Sequence, residues 1–185
     1  MAFIPTFRII TAISIFALVL SINLVAGADG LRVRFPEPVR RPPGPGPWPP
    51  VVCDPNEKGP HLQKRQQAAL QDWSVMFYDN EDVIGSFDRW IPGQWINHSP
   101  GAGQGREDAI RRLSVLLTDP SISMTNWTAF AGQGYGFVHF KFSFPSIDTV
   151  FAAWHSFRFQ GLCFVEHWDG VQRIFGNETN PIAYF

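Results

Sequence analysis

From Tyr135 to Phe144 the chain reads YGFVHFKFSF, with Val138, Phe140, Phe142 and Phe144 alternating against Phe137, His139, Lys141 and Ser143. A period of two marks a strand whose side chains point alternately to opposite faces, so one apolar face here needs a covering layer. Residues 122–130, 149–159 and 162–171 read as further strands, the last two forming a hairpin about Gln160-Gly161. The cover comes from upstream. Residues 61–79 carry Ala69, Leu70, Trp73, Met76 and Phe77 at helical spacing, and residues 82–89 offer Val83 and Phe87. After a short extended piece, 93–98, and a glycine-rich loop, 99–105, residues 105–118 present Ile110, Leu113, Leu116 and Leu117 until Asp119-Pro120 stops the helix. Helices first and strands after predict an α+β domain, with the helices on one face of a curved antiparallel sheet.

That domain does not take up the whole chain. Residues 1–28 place Arg8 before an apolar run from Ile9 to Val25, closed by Ala26-Gly27-Ala28. This is the pattern of a secretory signal peptide cleaved before Asp29, and it predicts a secreted protein. The run is also nearly long enough to span a bilayer, so an uncleaved signal anchor is the alternative. Residues 29–60 form a linker centred on RRPPGPGPWPP, where prolines remove backbone donors and hold the chain near polyproline II. The globular unit is expected over residues 61–185. Sequons at Asn97, Asn126 and Asn177 fit a secretory, glycosylated product, with Asn97 expected to stay bare. Cys53 in the linker and Cys163 in the last strand either pair, stapling linker to sheet, or remain one exposed and one buried thiol.

Composition removes several classes of function. Seventeen Phe and seven Trp among 185 residues are too many large apolar groups for a disordered chain. With 15 basic and 16 acidic side chains and no basic stripe, there is no electrostatic case for a nucleic-acid partner. Two cysteines are too few for a disulfide scaffold or a cysteine zinc site. GAGQGRE lacks the Lys-Ser/Thr of a phosphate loop, and no Gly-x-Ser-x-Gly elbow occurs. His167 and Asp169, two apart on a strand, offer at most one pair of metal ligands, so no metal is expected.

Two segments carry a resemblance. WINHSPGAGQGREDAIRRL resembles the "Y-I-Q-H-N-P … G-(K/R)-x-x-(A/F)-I" segment of SnoaL-like proteins in the NTF2-like superfamily. FRFQGLCFVEHWDGVQ is similar to their "F-R-(L/F)-x-x-G-(K)-I-V-E-H-W-D-V-(I)-Q". The resemblance covers residues 63–172, with Asn97 and Ser99 where the family often has Gln and Asn, and with Gly161 one position early. It implies the NTF2-like cone, a curved antiparallel sheet with the N-terminal helices packed on its concave face. That fold hosts cyclases, dehydratases, isomerases, epoxide hydrolases and plain binding modules. The implied activity is acid/base chemistry on a small hydrophobic carbonyl compound, with no cofactor. The alternative is a non-catalytic extracellular module for an apolar ligand or a protein partner. The resemblance also implies a homodimer formed through the outer sheet face, for which the Phe-rich strand 137–144 offers a surface. No membrane contact is expected once the signal is removed.

The family's enzymes use an Asp on the final strand and a His on the preceding one, and Asp169 and His155 are the matching positions. The family's usual three-residue, bulged hairpin loop would set His155 opposite His167 and Ala153 opposite Asp169. His155, His167, Asp169, Phe157 and Val165 would then share one face, and Trp154, Trp168, Arg158 and Glu166 the other. A two-residue loop would instead put His155 with Glu166 and Trp168, because a one-residue slip exchanges the faces. Burial raises a carboxyl pKa and lowers that of an imidazole, so Asp169 and His155 are both expected to move toward neutrality. His98, His139 and His167 are expected to orient substrate oxygens, and Trp73, Phe77, Tyr78 and Trp95 to form an aromatic wall. On the other face, Glu166 is expected to pair with Arg158 and Trp168 to stack on Trp154.

Overall fold

The computed structural model describes residues 53–185, so the leader 1–28 and the linker as far as residue 52 lie outside the described residues. Helix α1, Leu62–Ser74, buries Ala69, Leu70 and Trp73 on its inward face. It runs into one π-helical turn, Val75–Asp79, which buries the consecutive residues Phe77 and Tyr78. Such single π turns recur at functional sites. Helix α2, Val83–Trp90, starts at Asp82, whose carboxylate accepts the Gly85 N–H at 2.8 Å, and it buries Val83 and Phe87. Strand β1 is only Ile96–Asn97. Helix α3, Arg106–Leu116, follows Gly105 and buries only Ala109 completely. Its Ile110, Leu113 and Leu116, with Leu117 just beyond it, are half-buried, as befits a helix that lids a cavity.

Strands β2 (Ser123–Gly132), β3 (Tyr135–Phe144), β4 (Thr149–Gln160) and β5 (Cys163–Ile174) complete the sheet, whose order is β1-β5-β4-β3-β2. The meander β2 to β5 is antiparallel throughout. β1, however, runs parallel to β5, so the sheet is mixed where an all-antiparallel one was expected. The reason is connectivity. β1 and β5 are joined through α3 and three strands, a crossover long enough to permit parallel pairing. Val138, Phe140 and Phe142 point inward as their alternation predicts.

The β4–β5 turn departs from expectation in an instructive way. Gln160 pairs with Cys163, so the loop has two residues, not three. A bulge then intervenes: Phe159 pairs with Phe164 but Arg158 with Glu166, which makes Val165 the extra residue. The bulge restores the parity that the short loop would have lost. His155, Phe157, His167 and Asp169 therefore share the inner face, but His155 sits opposite Asp169 and Phe157 opposite His167. Phe164, fully buried, takes the inward place expected of Val165.

Cys53 and Cys163 are joined in a disulfide with Cα atoms 5.0 Å apart. Residues 53–60, read from sequence as linker, are accordingly fastened to the domain. Cys53 N–H donates to the Arg89 carbonyl at 3.3 Å, and Leu162 N–H to the Asp54 carbonyl at 2.9 Å. Gly161 makes that approach possible: it has φ +56°, and a Cβ there would fall 2.3 Å from Asp54 O.

On the outer face Glu166 pairs with Arg158, as expected. Trp168 does not stack on Trp154. It lies against His98 with ring centroids 4.8 Å apart, and Trp154 instead covers Gly170. The aromatic surface here comes from Phe130, Tyr135 and Trp154, while Phe140 and Phe142 of β3 point inward. The C-terminal segment crosses this face, stacking Phe185 on His139 at 4.8 Å. Among the described residues no helix is long and apolar enough to cross a membrane.

Candidate active site

The sheet's inner face, α1 with its π turn, and α3 enclose two adjoining cavities that share Phe77, Leu113 and His155 as walls. The inner lobe, about 20 Å³, is lined also by Trp73, Trp95, Asn97, Arg112 and His167. The outer lobe, about 40 Å³, is lined by Met124, Phe140, Leu116, Leu117 and Asp169. These volumes hold one to a few waters, or the reacting end of a small molecule.

His155 stands between the lobes. The rings of Phe140, Phe157, Tyr78, Phe77 and Trp73 surround it with centroids 4.9 to 6.4 Å away, and the surface it retains faces the lobes it lines. Burial there lowers its pKa from 6.5 to about 3. It thus moves away from neutrality and not toward it, because a group that starts near neutral and is penalised for charging can only go down. His155 is an uncharged imidazole at neutral pH. The Tyr78 hydroxyl lies 2.8 Å from its Nδ1. Burial raises the Tyr78 pKa well above the usual phenol value, so the O–H stays protonated and is able to donate. With the Tyr78 O–H donating, Nδ1 accepts and the ring hydrogen sits on Nε2.

Asp169 is directly across from His155 in the ladder and borders the outer lobe. Directly opposed residues on one face stand about 5 Å apart at Cβ, close enough to act on one small ligand. Burial raises the Asp169 carboxyl pKa, and the neighbouring Ser99 hydroxyl holds it back only in part. No hydrogen bond of normal geometry joins the two, since Asp169 Oδ1 and Ser99 Oγ are each buried without a partner. A desolvated carboxylate with a vacant oxygen is a stronger base than one in water.

His167 is held differently. Its Nδ1 lies 3.1 Å from Asn97 Oδ1, which also accepts the Ser99 N–H at 3.1 Å. The Asn97 amide nitrogen donates to the Gly103 carbonyl at 3.4 Å, which fixes its orientation. Asn97 Oδ1 is therefore an acceptor on both counts, His167 Nδ1 donates, and His167 Nε2 keeps its lone pair. Burial, reinforced by His155 and His98, lowers the His167 pKa and keeps the ring neutral. These bonds bury the Asn97 amide, whereas the sequon residues Asn126 and Asn177 are exposed.

Of the residues expected at the site, the structure brings together Asp169, His155, His167, Trp73, Phe77, Tyr78 and Trp95. It does not bring in His98 or His139. His98 is exposed on the outer face, 2.7 Å from Glu166 Oε1, and His139 stacks beneath Phe185. His139 is one step out of phase with the inward positions of β3, and His98 follows the inward Asn97 just past the end of β1. Asn97, Ser99 and Arg112 were not foreseen. The first two lie inside WINHSPG, where their departure from the family pattern was the available signal. Nothing in sequence distinguishes Arg112 from the other arginines of α3. Among the described residues no group of three His, Cys, Asp or Glu side chains is arranged to hold a metal ion.

No family model and no curated protein matches the chain. Among solved structures it is similar to an NTF2-like protein of unknown function from Mesorhizobium loti, at 14% identity over 63% of this chain and 98% of that one, with a TM-score of 0.51. It is also similar to a SnoaL-like protein of unknown function from Burkholderia thailandensis, at 17% identity over 57% of this chain and 97% of that one, TM-score 0.44. AclR from Streptomyces galilaeus matches at 14% identity over 60% of this chain and 90% of that one, TM-score 0.46. The Mesorhizobium likeness shows the fold: the chain adopts the α+β NTF2-like architecture that its motifs predict.

Proposed function

We propose that this chain is a secreted acid/base enzyme of lyase, isomerase or cyclase type that acts on a small carbonyl compound without a cofactor. The observation that carries this reading is the direct opposition of Asp169 and His155 across β4 and β5, both facing the cavity. Asp169, ionised, takes a proton from the carbon beside the substrate carbonyl. His155, neutral, donates its Nε2–H to the carbonyl oxygen and stabilises the enolate as charge moves there. Asp169 then returns the proton to a carbon or to a departing oxygen. Lobes of about 20 and 40 Å³ suit the reacting end of a small molecule. The disulfide supports an oxidising compartment and hence the secretory leader. The exposed Phe130, Tyr135 and Trp154 support a homodimer through the outer face, to be checked by sedimentation.

The same small, largely apolar cavity favours one rival, a module that holds an apolar ligand without converting it. Asp169→Asn separates the two. It should abolish conversion of a carbonyl substrate and spare binding; equal conversion by the variant would sink the acid/base assignment.

A further inference from the structure

Among the described residues, two indole N–H groups find carboxylate partners and two buried ones do not. Trp90 Nε1 donates to Asp72 at 2.8 Å and Trp127 Nε1 to Asp79 at 2.7 Å. Trp73 Nε1 and Trp95 Nε1 are buried with no partner, and both residues line the inner lobe. Leaving a buried donor unsatisfied costs about 1–3 kcal/mol, so two in one lobe call for an acceptor. The lobe also holds an acceptor of its own, the His167 Nε2 lone pair left free by Asn97. The rings form one chain: Trp95 stacks on His167 at 5.3 Å, and His167 meets His155 at 5.0 Å.

We infer that the inner lobe is a subsite for an uncharged hydroxyl group. A carbonyl oxygen would accept from the indoles but leave His167 Nε2 facing a lone pair. A carboxylate would do the same and would also carry charge into a desolvated space. A hydroxyl accepts from Trp73 and Trp95 and donates to His167 Nε2, and 20 Å³ admits one such oxygen. The subsite deepens the proposed function and rests on it for the other end of the ligand. With the carbonyl at His155 and the hydroxyl one or two carbons away, the substrate class is a small hydroxy-ketone or hydroxy-aldehyde.

The test titrates the full chain, disulfide intact, with hydroxyacetone, acetone and 1-propanol in turn, reading the indole Nε1–H and imidazole ¹⁵N resonances by NMR. Hydroxyacetone should shift Trp73 and Trp95 Nε1–H together with the His167 ring, and bind about five- to tenfold tighter than acetone. In the free protein the His167 nitrogen shifts should report protonated Nδ1 and bare Nε2. Equal affinities, or unmoved indoles while acetone still shifts His155, would overturn the hydroxyl subsite alone and leave an ordered water there. If none of the three moves His155, the carbonyl site fails as well. Trp95→Phe removes one donor and keeps a ring, and it should erase the advantage of hydroxyacetone over acetone.

Discussion

Replacing His155 by Gln should flatten the acid side of the stability profile. His155 binds its proton at about pH 3 in the folded protein and near 6.5 when unfolded. Between those values the unfolded chain holds more protons than the folded one, so the stability is fully present above about pH 6.5 and is lost as pH falls. Across that window the loss approaches about 1.4 kcal/mol per pH unit, or about 2–3 kcal/mol between about pH 7 and about pH 4.5. His167, also held neutral by burial, adds loss of the same sign, while Asp169, whose pKa is raised, acts in the opposite sense. Gln does not titrate, yet its carbonyl can still accept from Tyr78, so the variant removes the proton and keeps the bond. Urea midpoints measured at several pH values give the slope. With an m-value of about 1–3 kcal/mol/M, the wild-type midpoint should fall by about 1–2 M over this range, and His155→Gln should recover most of the share due to His155. Parallel profiles for the two proteins would show that His155 is solvated well enough to protonate in place, and its assignment as a neutral donor would be wrong.

Breaking the Cys53–Cys163 bridge, which spans 110 residues, should cost about 4–5 kcal/mol by loop entropy. Denaturation of the Cys53→Ala/Cys163→Ala double variant checks this, and a loss below about 1 kcal/mol would contradict it. Gly161→Ala drives a Cβ onto the Asp54 carbonyl at a left-handed φ and should cost about 1–3 kcal/mol. Gly132→Ala, whose Cβ meets nothing nearer than 3.9 Å, is the control for the same melt and should cost less. Glu166→Gln breaks the ion pair with Arg158 and alters the hydrogen bond with His98 on the outer face. It should change stability by less than about 1 kcal/mol and leave ligand binding in the cavity untouched, as a titration calorimeter would show.

The elements were legible because their signals are local. The helical spacing of Leu70, Trp73 and Phe77 and the alternation of β3 each follow from one stretch of chain. Burial decides what they mean, and burial repeats with a fixed period. The partnering of His155 was not legible, since it depends on a two-residue turn and a bulge at Val165 that cancel one another's effect on the faces. A face can survive such a pair of errors while every cross-strand partner moves by two. His98 and His139 show the converse. A chemically suggestive residue says nothing about direction until its phase within the strand is known. Asn97 was read as a sequon within a motif, and only its bonds to Ser99, Gly103 and His167 reveal that it sets the protonation of the site.

The central claim is that Asp169 removes a proton beside a carbonyl polarised by His155, and it can be tested before any natural substrate is known. Small ketones, hydroxyacetone among them, would be incubated with the protein in deuterated water and the loss of their α-proton NMR signals followed. The account predicts protein-catalysed exchange that Asp169→Asn abolishes, with a rate that rises through a carboxyl pKa raised by burial. Exchange no faster than in buffer, or equally fast with Asp169→Asn, would contradict it.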